Sequence, residues 1–159
     1  MQLSSSGLSL LKRSEGFVST VYRDAAGLET IGYGHRLQTG EQFPSGITEE
    51  QAETILANDV SYAAKCVTTL CHVPLTQGQF DALVDFTFNL GPRRLAESTL
   101  LRDLNAKQYD AAALQLLQWD HIGLKESSAL KARRTAEYQL WTGHAPNQPQ
   151  SAQTAQTKG

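Results

Sequence analysis

Residues 17–43 differ in amino-acid composition from the rest of the chain, and this difference restricts the possible folds more than any other feature. Aromatic and β-branched residues recur there between glycines, as in Val21-Tyr22 and Thr30-Ile31-Gly32-Tyr33-Gly34. Between these runs, Asp24-Ala25-Ala26-Gly27 has aspartate and glycine where a tight turn favours them. The segment therefore predicts a small antiparallel sheet of two or three strands, and its glycines indicate close approach of another group to the backbone.

Helix signals lie on both sides of this segment. Ser4 is suited to cap a first helix that stops at Gly16. Two capping boxes follow the sheet segment. Thr48-Glu49-Glu50-Gln51 opens a helix that is expected to reach about residue 65, and Thr76-Gln77-Gly78-Gln79 opens one that ends at Gly91-Pro92.

Three further helices are predicted in the second half of the chain. One begins after Ser98, one begins near Asp110 with Leu114 on its apolar side, and the last begins at residue 127 or 128 and ends at Gly143. Together with the sheet segment, these helices predict an α+β fold with two lobes, one formed around a small antiparallel sheet and the other mainly helical.

The chain has 159 residues, of which 40% are hydrophobic and 19% charged. Such a chain can bury a sizeable core without a metal or a disulfide, so Cys66 and Cys71 are expected to be free thiols. We assign the folded domain to residues 1–144. Residues 145–159 contain no aromatic residue and a single charge, Lys158, which predicts a disordered tail.

The composition also excludes several classes of protein. The net charge of −2 and the isoelectric point near 6.1 argue against a nucleic-acid partner. No apolar run approaches the length of about 18 residues that a membrane-spanning helix needs. The N-terminus lacks the basic and apolar regions of a secretory signal, so we expect a protein without an integral membrane segment that stays where it is made.

The small net charge conceals an uneven distribution. Residues 1–90 contain five Lys and Arg against ten Asp and Glu, whereas residues 91–159 contain nine against six. A basic second half is suited to the capture of an anionic substrate, and activity would then fall as the salt concentration rises. The simpler interpretation is an ordinary solvated surface.

Three residues are candidates for catalysis. Glu15 ends the first helix, where the helix dipole disfavours a carboxylate, Asp24 lies in the turn, and Thr30 lies on the following strand. Folding the hairpin back brings them to the junction of helix and sheet. Two carboxyl groups across a cleft suit glycoside hydrolysis, with one protonated as the acid and the other ionised. Each residue also has a structural interpretation, as a helix end, a turn residue or a packed strand residue.

The motifs around these residues carry a family resemblance. Lys12-Arg13-Ser14-Glu15-Gly16-Phe17, Tyr22-Arg23-Asp24-Ala25-Ala26-Gly27 and Thr30-Ile31-Gly32-Tyr33-Gly34-His35 follow one another in order. They resemble the signature of the bacteriophage-type lysozymes, or endolysins, of glycoside hydrolase family 24. The match runs from about Ser4 to Gly143. Four later blocks are similar to the same family: Gln79 to Val84, Phe86 to Gly91, Ser98 to Leu101, and Ala132 to Glu137.

This resemblance implies a lysozyme-like fold with the catalytic cleft between the lobes, and it implies hydrolysis of the bond between N-acetylmuramic acid and N-acetylglucosamine in peptidoglycan. Glu15 would be the general acid. Asp24 would stabilise positive charge at the anomeric carbon and orient a water, and the hydroxyl of Thr30 would hold that water on the opposite face of the sugar. The behaviour of the family suggests inversion, which requires space for a water between the carboxyl groups.

Four further residues match supporting positions of the family. His35 is expected to brace the cleft rather than transfer protons. Phe88 and Asn89 would line the cleft on the helical lobe, with core packing as an equal interpretation for Phe88, and Asn89 is suited to bind an N-acetyl group. By alignment, Arg133 reaches Glu15. Since a cation stabilises the ionised form of a carboxyl group, burial has to offset this pairing if Glu15 is the acid.

The resemblance also implies a biological setting. The enzyme would act on the host cell wall at the end of a phage infection cycle, as a monomer without metal or cofactor. Because the sequence has no evident export segment, we expect it to stay in the host cytoplasm until a holin-type pore releases it to the periplasm and cell wall.

Other interpretations lead to different experiments. A catalytically silent peptidoglycan-binding module would lack at least one of the three candidate residues, and all are present. A lytic transglycosylase would use a single acid and leave an anhydro product. Membrane disruption is a further possibility, because Lys125, Lys131, Arg133 and Arg134 lie near Trp141 in the last helix, where basic and aromatic residues suit anionic surfaces. The alternative for Arg134 is a solvated helix face.

Overall fold

The computed structural model describes residues 1–144, and its first element is the predicted N-terminal helix, α1 (Ser5–Glu15). The side chain of Ser4 accepts a hydrogen bond from the backbone N–H of Gly7 and caps the helix. The helix ends at Gly16, whose φ of 67° is a conformation that L side chains rarely adopt. Glu15 is therefore the last helical residue, as expected.

A three-stranded antiparallel sheet follows, with the order β1-β2-β3. The strands are β1 (Val18–Arg23), β2 (Glu29–Gly32) and β3 (His35–Arg36). Thr30 pairs with Tyr22 on β1 and with Arg36 on β3, so it lies in the middle of the sheet. The turn that contains Asp24 joins β1 to β2, which confirms the predicted hairpin.

The remaining elements are mostly helices, and both predicted capping boxes are present with the two reciprocal hydrogen bonds of each. Ser98 and Ser127 cap the helices that follow them, as predicted. The helices of this lobe are α2 (Glu49–Leu70), α3 (Gln77–Leu90), α4 (Pro92–Ala96), α5 (Thr99–Asn105), α6 (Tyr109–Leu116) and α7 (Ser128–Thr142).

Helix α3 forms the centre of the helical lobe. Residues 80–87 are buried around the whole circumference of the helix, including the charged Asp85. Near its start, a Cβ added to Gly78 would collide with the carbonyl oxygen of Leu140, so α7 packs directly on the α3 backbone. This packing places the middle of α7 beside Asp85. The core around α3 consists of Val67, Phe80, Leu83, Phe86, Leu95, Leu100, Leu104, Leu116 and Trp141, among others.

The structure departs from the predicted helices in three places. Helix α2 extends to Leu70 instead of stopping near residue 65, so Cys66 is helical and Cys71 follows directly, and both thiols are free as expected. Pro92 ends one helix and also opens α4, because proline suits the first turn of a helix. In α6, Leu114 is 53% exposed, and Ala112, Ala113 and Leu116 are the residues that face the core.

The structure also contains a short hairpin that the sequence did not predict, formed by β4 (His121–Ile122) and β5 (Lys125–Glu126). Its strands have two residues each, too few for a periodicity to be visible. The predicted tail, residues 145–159, lies outside the described residues. Within residues 1–144, no helix is long and apolar enough to cross a membrane.

Candidate active site

A cleft of about 880 Å³ lies between the sheet and the helical lobe. The sheet side contributes Glu15, Asp24, Thr30 and His35, and the helical side contributes the end of α3. The structure thus brings together six of the seven residues that the sequence singled out. The seventh, Arg133, lies beneath Glu15. The six that line the cleft are Glu15, Asp24, Thr30, His35, Phe88 and Asn89.

Glu15 is held from two sides at the end of α1. Its Oε1 accepts a 2.6 Å hydrogen bond from Nη1 of Arg133. On the other side, the backbone of Gly34 lies so close that an added Cβ would be 2.7 Å from Cδ of Glu15. A side chain at residue 34 would displace this carboxyl group, and the φ of 70° at Gly34 also favours glycine, which explains one of the glycines noted in the strand segment. The Glu15 side chain retains 17% of its exposure, so it can still meet a ligand in the cleft.

Asp24 is fixed by the turn in which it lies. Its Oδ1 accepts hydrogen bonds from the backbone N–H groups of Ala26 and Leu28, both at 2.9 Å, and its Oδ2 accepts one from Nε of Arg36 at 3.1 Å. The bond from Leu28, then the bond from Ala26 and the charge of Arg36, lower the pKa of Asp24 below its ordinary value despite partial desolvation. Asp24 is therefore a rigidly oriented carboxylate at neutral pH.

Thr30 is 2% exposed, and its hydroxyl donates a 2.9 Å hydrogen bond to the carbonyl of Leu28. Since this bond uses the only hydroxyl proton, the oxygen lone pairs stay available to accept a hydrogen bond from another group. Leu28 thus orients both residues, because its N–H binds Asp24 and its carbonyl binds Thr30. The hairpin holds the two as one unit.

His35 connects the sheet to the loop after it and to α2. Its Nδ1 is 2.7 Å from Oδ2 of Asp59 and its Nε2 is 2.8 Å from Oε2 of Glu41. The hydrogen bond to Asp59, followed by that to Glu41, raises the pKa of His35 to about 9 even though burial opposes the charge. The imidazolium donates from both nitrogens at neutral pH, which favours a bracing role over proton transfer.

Phe88 and Asn89 lie at the end of α3 on the opposite wall. Phe88 packs against the core around α3 and against a smaller cluster, and it also lines the cleft, so both interpretations of this residue hold. The smaller cluster consists of Leu11, Tyr33, Ala52 and Leu56. Oδ1 of Asn89 accepts a 2.9 Å hydrogen bond from Nη2 of Arg134, which leaves its amide N–H groups as donors for a ligand.

Arg133 is only 6% exposed and binds two carboxyl groups. Besides Glu15, it donates to both oxygens of Asp85, from Nε at 2.8 Å and from Nη2 at 3.0 Å. The contact with Glu15 matches the expectation from the resemblance. Its second partner, Asp85, was not predicted, although Asp81 and Asp85 stand out as the two charged residues within the apolar run of α3.

The burial of α7 contradicts two interpretations of its basic residues. Arg134 is fully buried and donates to Glu137 at 2.6 Å, so it does not lie on a solvated helix face. Arg133 and Trp141 are buried as well, at 6% and 7% exposure, so of the residues named for membrane disruption only Lys125 and Lys131 lie on the surface. The basic excess of the second half likewise loses two of its cations to buried ion pairs.

The helical wall contains two more features that the sequence did not predict. Arg94 lies 6.0 Å from the centre of the Trp119 ring, whose edge packs on Phe86. Next to them, the β4–β5 hairpin contributes Ile122 and Gly123 to the cleft. Within residues 1–144, no group of three or more His, Cys, Asp or Glu residues has a geometry that could hold a metal ion.

Known proteins match both the sequence and this fold. The family model of phage lysozyme matches residues 12–137. The endolysin of Salmonella phage P22 is 41% identical over 144 residues, covering 89% of this chain and 98% of its own, and the SAR-endolysin of bacteriophage PS119 is 31% identical, covering 77% and 73%. The solved endolysin of Escherichia coli O157:H7 phage FAHEc1 superposes with a TM-score of 0.80 at 36% identity, covering 92% of this chain and 97% of that one.

Proposed function

The chain belongs to the phage lysozyme family, and we propose that Glu15, Asp24 and Thr30 carry out its hydrolysis of bacterial peptidoglycan. It is a lysozyme-type glycoside hydrolase and an endolysin. The observation that carries the assignment of residues is their convergence on one cleft, where Asp24 and Thr30 are held through the same residue, Leu28.

In this proposal Glu15 protonates the glycosidic oxygen between N-acetylmuramic acid and N-acetylglucosamine. The bond from Arg133 favours the ionised form of Glu15 and opposes this role. The two hydrogen bonds from Arg133 to Asp85, at 2.8 and 3.0 Å, offset that effect because they neutralise much of the guanidinium charge. Arg133 can therefore hold the Glu15 side chain in place without a full unit of positive charge acting on it.

Asp24 and Thr30 act on the water that attacks the anomeric carbon. Asp24 is ionised and rigid, so its charge is present where the sugar becomes positive. Thr30 has lone pairs free to accept a hydrogen bond from the attacking water, and its own proton is held by Leu28. Positioning a water between two carboxyl groups is the arrangement of an inverting glycosidase, and we propose inversion.

Binding of the sugar is assigned to the helical wall. The amide N–H groups of Asn89 would donate to the carbonyl of an N-acetyl group, and Phe88 would contact its methyl group or the sugar ring. His35 keeps the sheet wall in position through Asp59 and Glu41.

The test is a digest of purified peptidoglycan by the wild type, Asp24→Asn and Thr30→Val. We expect the wild type to release fragments with N-acetylmuramic acid at a free reducing end and with inverted anomeric configuration. Both variants should still bind peptidoglycan and lose most turnover. Anhydro products would instead identify a lytic transglycosylase, and binding without any products from the wild type would identify a silent binding module.

We further propose that the protein is a monomer and reaches the cell wall through a holin-type pore. The relatives reported above include an endolysin at 41% identity and a SAR-endolysin at 31%. Expression in bacteria with and without a coexpressed holin tests this route. Lysis that needs no pore would contradict it.

A further inference from the structure

Two buried carboxyl groups lie behind Glu15 and have no part in the chemistry described so far. Asp85 on α3 and Glu137 on α7 are both completely inaccessible to solvent. They belong to two chains of hydrogen bonds, one that runs from Glu15 through Arg133 to Asp85 and one that runs from Asn89 through Arg134 to Glu137. Burying a carboxylate costs several kcal/mol unless its oxygens are fully hydrogen-bonded, so the protonation of this pair matters.

The two carboxyl groups have unequal sets of partners. Both oxygens of Asp85 accept from Arg133. Oε1 of Glu137 accepts from Arg134, but Oε2 is buried and has no donor among the described residues. The Glu137 and Asp85 side chains are within hydrogen-bonding reach of each other. A proton on Oε2 of Glu137 would therefore give that oxygen a partner and give Asp85 a further donor.

The electrostatic environments agree with this assignment. Burial raises the pKa of Glu137 well above its ordinary value, and the charge of Arg134 only partly opposes the shift. Burial also acts to raise the pKa of Asp85, but the charge and hydrogen bonds of Arg133 outweigh it and the pKa is lowered. The pKa values of the two carboxyl groups are thus shifted in opposite directions although both groups are fully buried.

We propose that Glu137 is a neutral carboxylic acid whose Oε2–H donates to Asp85, and that the ionised Asp85 is a positioning residue that fixes Arg133 against Glu15. The inference rests on the proposed role of Glu15 as the acid. It assigns separate tasks to two groups of the same chemical type. Asp85 orients Arg133 and neutralises its charge, and Glu137 restrains Asp85 without adding a second buried negative charge.

The proposal predicts how Glu15 responds to changes in this cluster. The charged and titratable groups that surround it are Arg133 on α7, Tyr22 on β1 and, behind Arg133, Asp85, Arg134 and Glu137. If Asp85 loses its charge, Arg133 acts on Glu15 with its full positive charge and favours the carboxylate. The proton that Glu15 needs would then be lost at lower pH.

The experiment compares Asp85→Asn with Glu137→Gln, two isosteric replacements of a carboxyl group by an amide. Lysis rates of purified peptidoglycan are measured across pH, with thermal unfolding of each variant. Asp85→Asn should move the alkaline limb of the rate profile down by about one pH unit and reduce the rate at neutral pH about tenfold. Glu137→Gln should keep the limb in place, since its amide N–H₂ donates to Asp85 and its carbonyl accepts from Arg134.

Infrared difference spectroscopy of ¹³C-glutamate-labelled protein provides a readout that does not depend on activity. The wild type at neutral pH should show the C=O band of a protonated buried Glu that persists in Glu15→Gln and is absent from Glu137→Gln. Absence of this band in the wild type would overturn the proposal, even if Asp85→Asn fails to fold. The proposal would also be overturned if Glu137→Gln displaced the alkaline limb of the rate profile, or if a folded Asp85→Asn left that limb in place. Full activity of Glu15→Gln would instead refute the proposed catalytic acid and leave the infrared result standing.

Discussion

Replacing Gly34 by alanine should inactivate the enzyme by displacing Glu15. The added Cβ would lie 2.7 Å from Cδ and 3.2 Å from Cγ of Glu15, whereas carbon atoms in good contact are about 3.5–4.0 Å apart. The carboxyl group must therefore move by about 1 Å, and a misplacement of that size can reduce a rate about 100-fold, or about 2.7 kcal/mol of activation free energy. The φ of 70° at Gly34 adds about 1–2 kcal/mol of backbone strain for alanine.

Gly143→Ala is the matched control for this variant. Gly143 has a similar φ of 74°, but an added Cβ would meet no atom of residues 1–144 within 4 Å. Both variants should thus lose about 1–2 kcal/mol of unfolding free energy from backbone strain, and only Gly34→Ala should lose activity. Urea unfolding and initial rates of peptidoglycan clearing, measured on the same preparations, separate the two effects. A folded Gly34→Ala enzyme with the rate of the Gly143→Ala control would refute the reasoning.

Three further predictions address the brace, the helical wall and the core. Because the pKa of His35 is raised from 6.5 to about 9, its ion pairs contribute stability that is fully present below about pH 6.5 and is lost as the pH rises through about 9. The melting temperature of the wild type should fall across this range relative to that of His35→Gln, and parallel curves would contradict the brace. Arg94→Ala should raise KM and leave the melting temperature within about 2 °C of the wild-type value, since Arg94 lies over Trp119 on the cleft wall and outside the core. An unchanged KM would show that Arg94 does not contribute to substrate binding. Leu104→Ala, at a fully buried position, should cost about 2–5 kcal/mol in urea unfolding without changing the pH profile, and a smaller loss would indicate that the core collapses around the cavity.

The elements that the sequence predicts well are those with a local physical cause. Ser4 and the two capping boxes satisfy backbone N–H groups within four residues, and the Asp24 turn needs only its own side chain and Gly27. These local signals located α1, the sheet and the starts of α2 and α3. The positions of Glu15, Asp24 and Thr30 followed from them, since a hairpin folded onto the end of α1 has few possible arrangements.

The features that the sequence reading missed depend on contacts between distant segments. Arg134 and Glu137 are charged residues on a helix of polar composition, and they are buried because α7 packs against other helices of the lobe, above all α3. The pairing of Arg133 with Asp85 joins residues 48 positions apart. The end of α2 was misjudged for a similar reason, because its last turn is stabilised by packing of Val67 in the core and no sequence signal marks residue 70.

The central claim is that Glu15 supplies the proton for cleavage, and clearing of purified peptidoglycan by Glu15→Gln tests it most directly. The amide keeps the shape of the side chain and can still accept the hydrogen bond from Arg133, so the fold and the binding of peptidoglycan should be retained. Because an amide cannot donate a proton to the leaving oxygen, the account predicts that release of reducing ends falls by at least about 100-fold relative to the wild type. Release of reducing ends at a near wild-type rate by this folded variant would contradict it.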